Sequence, residues 1–174
     1  QIRSYVLDNS RIKDLRTSVL PLASVPAVRR EVREAGRTLV FTNGVFDILH
    51  RGHCEYLAAA RALGGTLVVG MNTDASVRRL KGEKKPIVPE GDRAFVLSQL
   101  ACVDAVCLFD EDTPQRLIAA LLPDVLVKGG DYTLETIVGR EEVEAAGGRV
   151  LTIPLTPERS STNILQTIVD RFCP

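Results

Sequence analysis

The chain has 174 residues, 45% of them hydrophobic and 25% charged, with 22 basic and 22 acidic side chains and a formal net charge of zero. That length and composition suit a compact domain with a sizeable core and leave no need for a second domain. Zero net charge provides no overall field to draw the chain to nucleic acid or an anionic membrane, so any anion site must be local. In chain order, residues 9 to 35 are charged and aliphatic, predicting one or two helices outside a sheet. They form an N-terminal helical extension over 1–35, ahead of the main domain over 36–174. β-prone runs then recur at 38 to 42, 66 to 71, 104 to 109, 124 to 127 and 149 to 153. Between and after them lie helix-prone segments at 53 to 63, 90 to 101, 114 to 122, 140 to 146 and 162 to 172. The alternation predicts an α/β fold, a Rossmann-like doubly wound parallel sheet of about five strands.

Both histidines fall in one ten-residue stretch, Gly44-Val45-Phe46-Asp47-Ile48-Leu49-His50-Arg51-Gly52-His53, on the crossing from the first of these strands to its helix. At such a crossing the first helical N–H groups have no internal partner and the helix dipole is positive, which favours an anion such as phosphate. Gly52 lets the backbone come close to one. Two imidazoles three residues apart on one turn can donate to phosphoryl oxygens whose charge grows in a transition state. The plainer alternative is that one histidine caps the helix and the other packs.

Gly44 to His53 resembles the GxFDxxHxGH signature of the HxGH nucleotidyltransferase superfamily, which includes cytidylyltransferases and phosphopantetheine adenylyltransferase. Asn72 to Ser76, Arg79 to Gly82, Asp110 to Pro114, Val127 to Tyr132 and Ser160 to Asn163 extend the likeness. Together they look most like the adenylyltransferase branch of ADP-heptose synthesis, over about residues 38 to 172. The resemblance implies transfer of AMP from ATP to D-glycero-β-D-manno-heptose 1-phosphate, releasing pyrophosphate. Mg²⁺ is then carried mainly by the ATP, and no protein metal site is expected. It also implies a homodimer or higher homo-oligomer, and a separate kinase to supply the sugar phosphate.

Site roles follow from the same likeness. His50 and His53 are expected to hold the α-phosphoryl group, and Lys81 to offset repulsion between two approaching phosphates. Thr42, Asn43, Gly44, Val45, Phe46, Lys128, Gly129 and Asp131 are expected against the nucleotide. Ser160, Ser161 and Thr162 are expected on the leaving pyrophosphate, although Ser and Thr there would also serve as a plain N-cap. Arg159 beside them is a weaker phosphate candidate. Asp47, Asn72, Asp74 and Arg93 are expected near the acceptor; a carboxylate such as Asp47 close to a triphosphate is either a metal ligand or an orienter, and the orienting or substrate-hydroxyl role is the one expected. Lys81 itself lies in a cationic run, Arg78 to Pro86, read as a loop; such a run is otherwise ordinary solvated surface.

The cysteines at 54, 102, 107 and 173 make no CxxC pair and no metal-ligand set, and read as four reduced thiols. Cys54 follows His53 at a helix start, where a thiol pKa can fall, but the sequence supplies no base and orienter for a nucleophile. No stretch has the ~20 apolar residues of a bilayer span, and Gln1 to Tyr5 lacks the apolar run of a signal peptide. The chain reads as cytoplasmic. The alternatives are a glycerol-3-phosphate cytidylyltransferase-like enzyme and, from another class, a nucleotide-binding regulatory module without turnover. A fragment of a class I aminoacyl-tRNA synthetase shares the HxGH logic but needs a far longer chain.

Overall fold

The computed structural model describes residues 19–157 and 160–173. Its centre is a six-stranded, all-parallel sheet in the order β1-β4-β3-β2-β5-β6. The strands are β1 (Val19–Leu20), β2 (Leu39–Gly44), β3 (Thr66–Asn72), β4 (Ala105–Phe109), β5 (Val125–Gly129) and β6 (Arg149–Ile153). The helices are α1 (Val25–Glu34), α2 (Arg51–Ala62), α3 (Asp74–Lys81), α4 (Glu90–Ser98), α5 (Gln115–Leu121), α6 (Arg140–Ala145) and α7 (Ser161–Phe172).

Parallel strands need crossovers, and right-handed crossovers decide which face each helix covers. From β2 the chain steps outward through β3 to β4, putting α2 and α4 on one face. It then returns past β2 to β5 and β6, putting α5 and α6 on the other, where α1 joins them. Alternate residues of each strand therefore enter two separate cores. Leu39, Phe41 and Leu126 pack with Val28, Ile118 and Val143, whereas Val40, Val125 and Val127 pack with Leu57, Ala94 and Leu97. With both faces covered, all seven residues of β3 are buried, the continuous apolar run expected of an interior parallel strand.

The five anticipated strands are all present, and two regions depart from expectation. The segment read as purely helical contributes the edge strand β1, paired with β4 through Val19–Val106 and Leu20–Cys107. Two residues are too few for a periodic signal, so only the i, i+3, i+7 spacing of buried Val25, Val28 and Val32 in α1 was readable. Residues 1–18 of that expected extension lie outside the described residues. The cationic run is the second departure, for it begins inside a helix. The Thr73 hydroxyl caps α3 by accepting from the Ser76 N–H, and Arg78, Arg79 and Lys81 occupy its last turn, where the dipole favours cations. Only residues 82–89 form the loop.

Candidate active site

The order of strands reverses at β2, which has β3 on one side and β5 on the other. In open α/β sheets, ligands bind beyond the carboxyl ends of the strands at such a point. A cavity of about 370 Å³ opens there. Its floor is the ends of β2 and β5, through Asn43, Gly44, Lys128 and Gly129, and its walls are the starts of α2 and α7.

His50 is the N-cap residue of α2 in extended backbone and makes no side-chain cap bond. The first turn of α2, with Gly52 in it, lies at the cavity wall without a side-chain cap. Neither α2 nor α7 has an acidic residue in its first turn, whereas α3, α4 and α6 all do. The two helices that point their positive ends at the cavity thus leave their dipoles for an outside anion.

The His50 and His53 rings stack with centroids 3.9 Å apart at 29°. Phe46 lies against the other side of His53, centroids 5.4 Å apart at 59°. The backbone reaches that arrangement through φ of 50° at Phe46, a left-handed conformation rare in a bulky residue and typical of functional turns. A Cβ on Gly44 would meet the Phe46 ring at 3.0 Å, so any larger residue there requires the ring to shift. Burial, then repulsion from His50, lowers the His53 pKa to about 4. His53 is therefore neutral at pH 7, and its buried Nδ1 has no hydrogen-bond partner among the described residues.

Lys128 is the second perturbed group. It is 7% exposed, its Nζ donates to Asn43 Oδ1 and lies 5.2 Å from the centre of the Tyr132 ring. Burial lowers its pKa to about 8, against the raising effect of Asp131. A buried cation with a neutral amide and an aromatic face for company is pre-placed to meet an anion. Lys81, on the opposite rim, completes the positive lining.

Most of the expected site residues meet here. Asn43, Gly44, Val45, Phe46, His50, His53, Lys81, Lys128, Gly129, Asp131, Ser160, Ser161 and Thr162 all line the cavity. Ser160 caps α7 by accepting from the Asn163 N–H at 3.1 Å, and the Ser161 hydroxyl donates to Ile48 O at 3.2 Å, tying α7 to the histidine loop. Thr42 lies one layer down, with its hydroxyl 2.7 Å from that of Tyr56. Asp47, Asn72, Asp74 and Arg93 are buried or half-buried behind the wall and engage one another and backbone. Arg159 lies outside the described residues.

Tyr56, Tyr132, Leu155 and Thr156 also line the cavity and are not among the site residues expected from sequence, although Tyr132 closes one of the segments that carry the family likeness. Tyr56 was within reach, since it follows His53 by three residues and so shares its helical face; burial, partly countered by its bond to Thr42, pushes its pKa up to about 12. Thr156 comes from a loop after β6 and is held by a 2.6 Å bond to Glu55, a long-range contact with no local signature. Among the described residues, no group of three His, Cys, Asp or Glu could hold a metal ion. All four cysteines are free, and no helix among the described residues is long and apolar enough to cross a membrane.

The doubly wound sheet, the stacked HxGH histidines at its switch point and the two open helix starts define a Rossmann-like nucleotidyltransferase domain. Residues 41–167 match the cytidylyltransferase-like family model, and the chain belongs to that family. It is 57% identical over 140 residues to the bifunctional protein HldE of Syntrophotalea carbinolica, covering 80% of this chain and 29% of that protein. Against HldE of Yersinia pestis it is 56% identical over 138 residues, covering 79% and 29%. The chain thus spans under a third of the length of these relatives. Among solved structures, the lipopolysaccharide core biosynthesis protein of Thermoplasma volcanium aligns with TM-score 0.58 and 30% identity, covering 70% of this chain and 98% of that one. Pantothenate synthetase of Thermus thermophilus shares the fold, with TM-score 0.56 at 21% identity, over 84% of this chain and 66% of that one.

Proposed function

We propose that this chain transfers AMP from ATP to D-glycero-β-D-manno-heptose 1-phosphate, giving ADP-heptose and pyrophosphate for heptose-containing glycans such as the lipopolysaccharide core. The observation that carries the transfer chemistry is the stacked His50–His53 pair at the open start of α2. The acceptor is supported by the likeness to HldE and to a lipopolysaccharide core biosynthesis protein.

In the reaction an oxygen of the sugar phosphate attacks the α-phosphorus in line, and the bond from that phosphorus to the pyrophosphate oxygen breaks. A phosphate monoester dianion is already a competent nucleophile, so the protein's task is to position and to stabilise charge. His53, neutral at pH 7, donates a hydrogen bond to the α-phosphoryl oxygens without exchanging a proton, and His50 acts beside it. Lys81 offsets the repulsion as the two phosphates approach. The Ser161 and Thr162 end of α7 receives the leaving pyrophosphate. Asn43, Lys128, Gly129 and Asp131 hold the nucleoside end. Mg²⁺ enters as part of the substrate, drawing charge from the triphosphate. Asp47, the signature carboxylate, has both oxygens taken by the Ile87 and Val88 N–H groups, which supports a metal held by ATP rather than by the chain.

Pyrophosphate release with Mg²⁺, crossing ATP and CTP against heptose 1-phosphate and glycerol 3-phosphate, tests the reading, with His53→Ala as control. Release confined to ATP with the heptose phosphate, and lost in the variant, is the expected result. CTP with glycerol phosphate would keep the mechanism and replace both substrates. ATP binding without release from any pair would make the chain a regulatory module.

A further inference from the structure

We propose that Arg93 and Asp47 are positioning residues that clamp the Lys81-bearing segment to the loop carrying His50 and His53, neither of them touching substrate. Only the kinetic arm of the test rests on the adenylyl-transfer reading.

Arg93 sits on α4 and is 1% exposed. Its Nε donates to Val88 O at 2.9 Å, one terminal nitrogen donates to Val45 O at 2.6 Å and Asn72 O at 3.0 Å, and the other to Asp74 Oδ1 at 2.6 Å. Val45 belongs to the β2–α2 loop, Asn72 and Asp74 to the end of β3 and the start of α3, and Val88 to the loop after α3. One guanidinium with five N–H groups in a rigid fork thus joins three segments, and the half-buried Asp74 carboxylate balances its charge. It has little left to offer a ligand, and it does not line the cavity.

Asp47 performs the reciprocal task and is 8% exposed. Both its oxygens lie 2.9 Å from the Ile87 N–H, and Oδ1 accepts from the Val88 N–H at 2.8 Å. Lys85 Nζ stands 3.9 Å from Oδ2. Val88 is therefore gripped from both sides, its N–H by Asp47 and its carbonyl by Arg93. Arg93 also grips Asp74, the first residue of α3. The stretch from 74 to 88 is pinned at its two ends, and Lys81 hangs between them, exposed, just before Gly82 at φ 91°. A lysine that must stand between two phosphates loses on the order of a hundredfold in rate when displaced by about 1 Å.

The test uses Asp47→Asn, Arg93→Lys and Asp74→Asn in the whole chain. Pyrophosphate release is followed with ATP and heptose 1-phosphate, tryptic cleavage after Lys81 and Lys84 is timed in the folded protein, and urea unfolding monitors the fold. We expect kcat to fall by about tenfold to a hundredfold, with KM for either substrate within about threefold and cleavage several times faster. A rise of KM for the sugar phosphate beyond about tenfold, with cleavage unchanged, would make these residues substrate contacts and overturn the proposal. Should Arg93→Lys unfold, Asp47→Asn decides alone, because it keeps the side chain's shape and one acceptor. Faster cleavage in the variants of a chain whose wild type releases no pyrophosphate would uphold the clamp and refute the adenylyl-transfer reading instead.

Discussion

The two ends of the sheet treat charge in opposite ways. At the amino ends, one device is built twice. Asp104, just before β4, accepts at 2.8 Å from the N–H of Leu67, the second residue of β3, and meets Arg61 of α2 at 2.7 Å. Asp124, just before β5, accepts from the Leu39 N–H that opens β2 at 2.7 Å and takes a two-pronged bond from Arg29 of α1. Burial would raise the Asp124 carboxyl, but the Arg29 and Leu39 bonds hold it below the usual carboxylate range. At the carboxyl ends stand His53, neutral with a buried Nδ1 that has no hydrogen-bond partner among the described residues, and Lys128, a buried cation bonded there to the Asn43 amide rather than to a carboxylate. The charges of this device at the first end are answered within the chain, whereas His53 and Lys128, which line the cavity at the second, have no carboxylate partner among the described residues. The first end should therefore govern stability and the second turnover.

The largest expected effect is at the first end. Asp104→Ala leaves Arg61 and the Leu67 N–H without their acceptor and should cost about 3 kcal/mol in urea unfolding, with turnover of the folded fraction unchanged. Next comes His53→Ala, which should lower turnover on the order of a hundredfold, read as pyrophosphate release, while unfolding stability stays within about 1 kcal/mol. A variant at either end that moved both quantities together would dissolve the distinction.

Much of this division was legible in the sequence, unevenly. The cavity was readable because its chemistry is concentrated in short segments, Gly44 to His53 and Lys128 to Asp131, that follow strong apolar runs. The Asp104 and Asp124 device was not, since a lone aspartate before a strand has no periodic signature and its arginine lies 43 or 95 residues away in the chain. Arg93 shows the same limit from the other side. The family likeness brought it forward, and only the structure reveals that its guanidinium is already committed to Val45, Asn72, Asp74 and Val88.

Lys128 allows a sharper trial with a smaller effect. A lysine pKa lowered by burial to about 8 means that the folded state carries a penalty for the charge at pH 7. That penalty is relieved as pH rises from about 8 toward the unfolded value near 10.4. Lys128→Met should remove it, raising stability without nucleotide by roughly 1 kcal/mol and Tm by about 2–4 °C. ATP affinity, followed by calorimetric titration, should fall in the same variant. A melting temperature that fell instead would indicate that Asn43 and Tyr132 already satisfy the ammonium, and that this end is less open than its contacts suggest.

The smallest effect concerns the proton that His53 lacks. Its folded pKa is about 4 against 6.5 in an unfolded chain, so between those values the unfolded state binds the extra proton. The contribution of neutral His53 is whole above pH 6.5 and is lost as pH falls toward 4. Because the ring is partly open to the cavity, the loss should amount to about 1 kcal/mol rather than the full value of the shift. Asp124 weakens the fold at low pH for a separate reason, its carboxylate being stabilised by Arg29. The quantity to follow is therefore the difference between wild type and His53→Gln in urea unfolding at pH 7 and pH 5. It should narrow toward acid. A constant difference would mean that His53 titrates as it does in the unfolded chain, and that burial beside Phe46 and His50 does not set its protonation state.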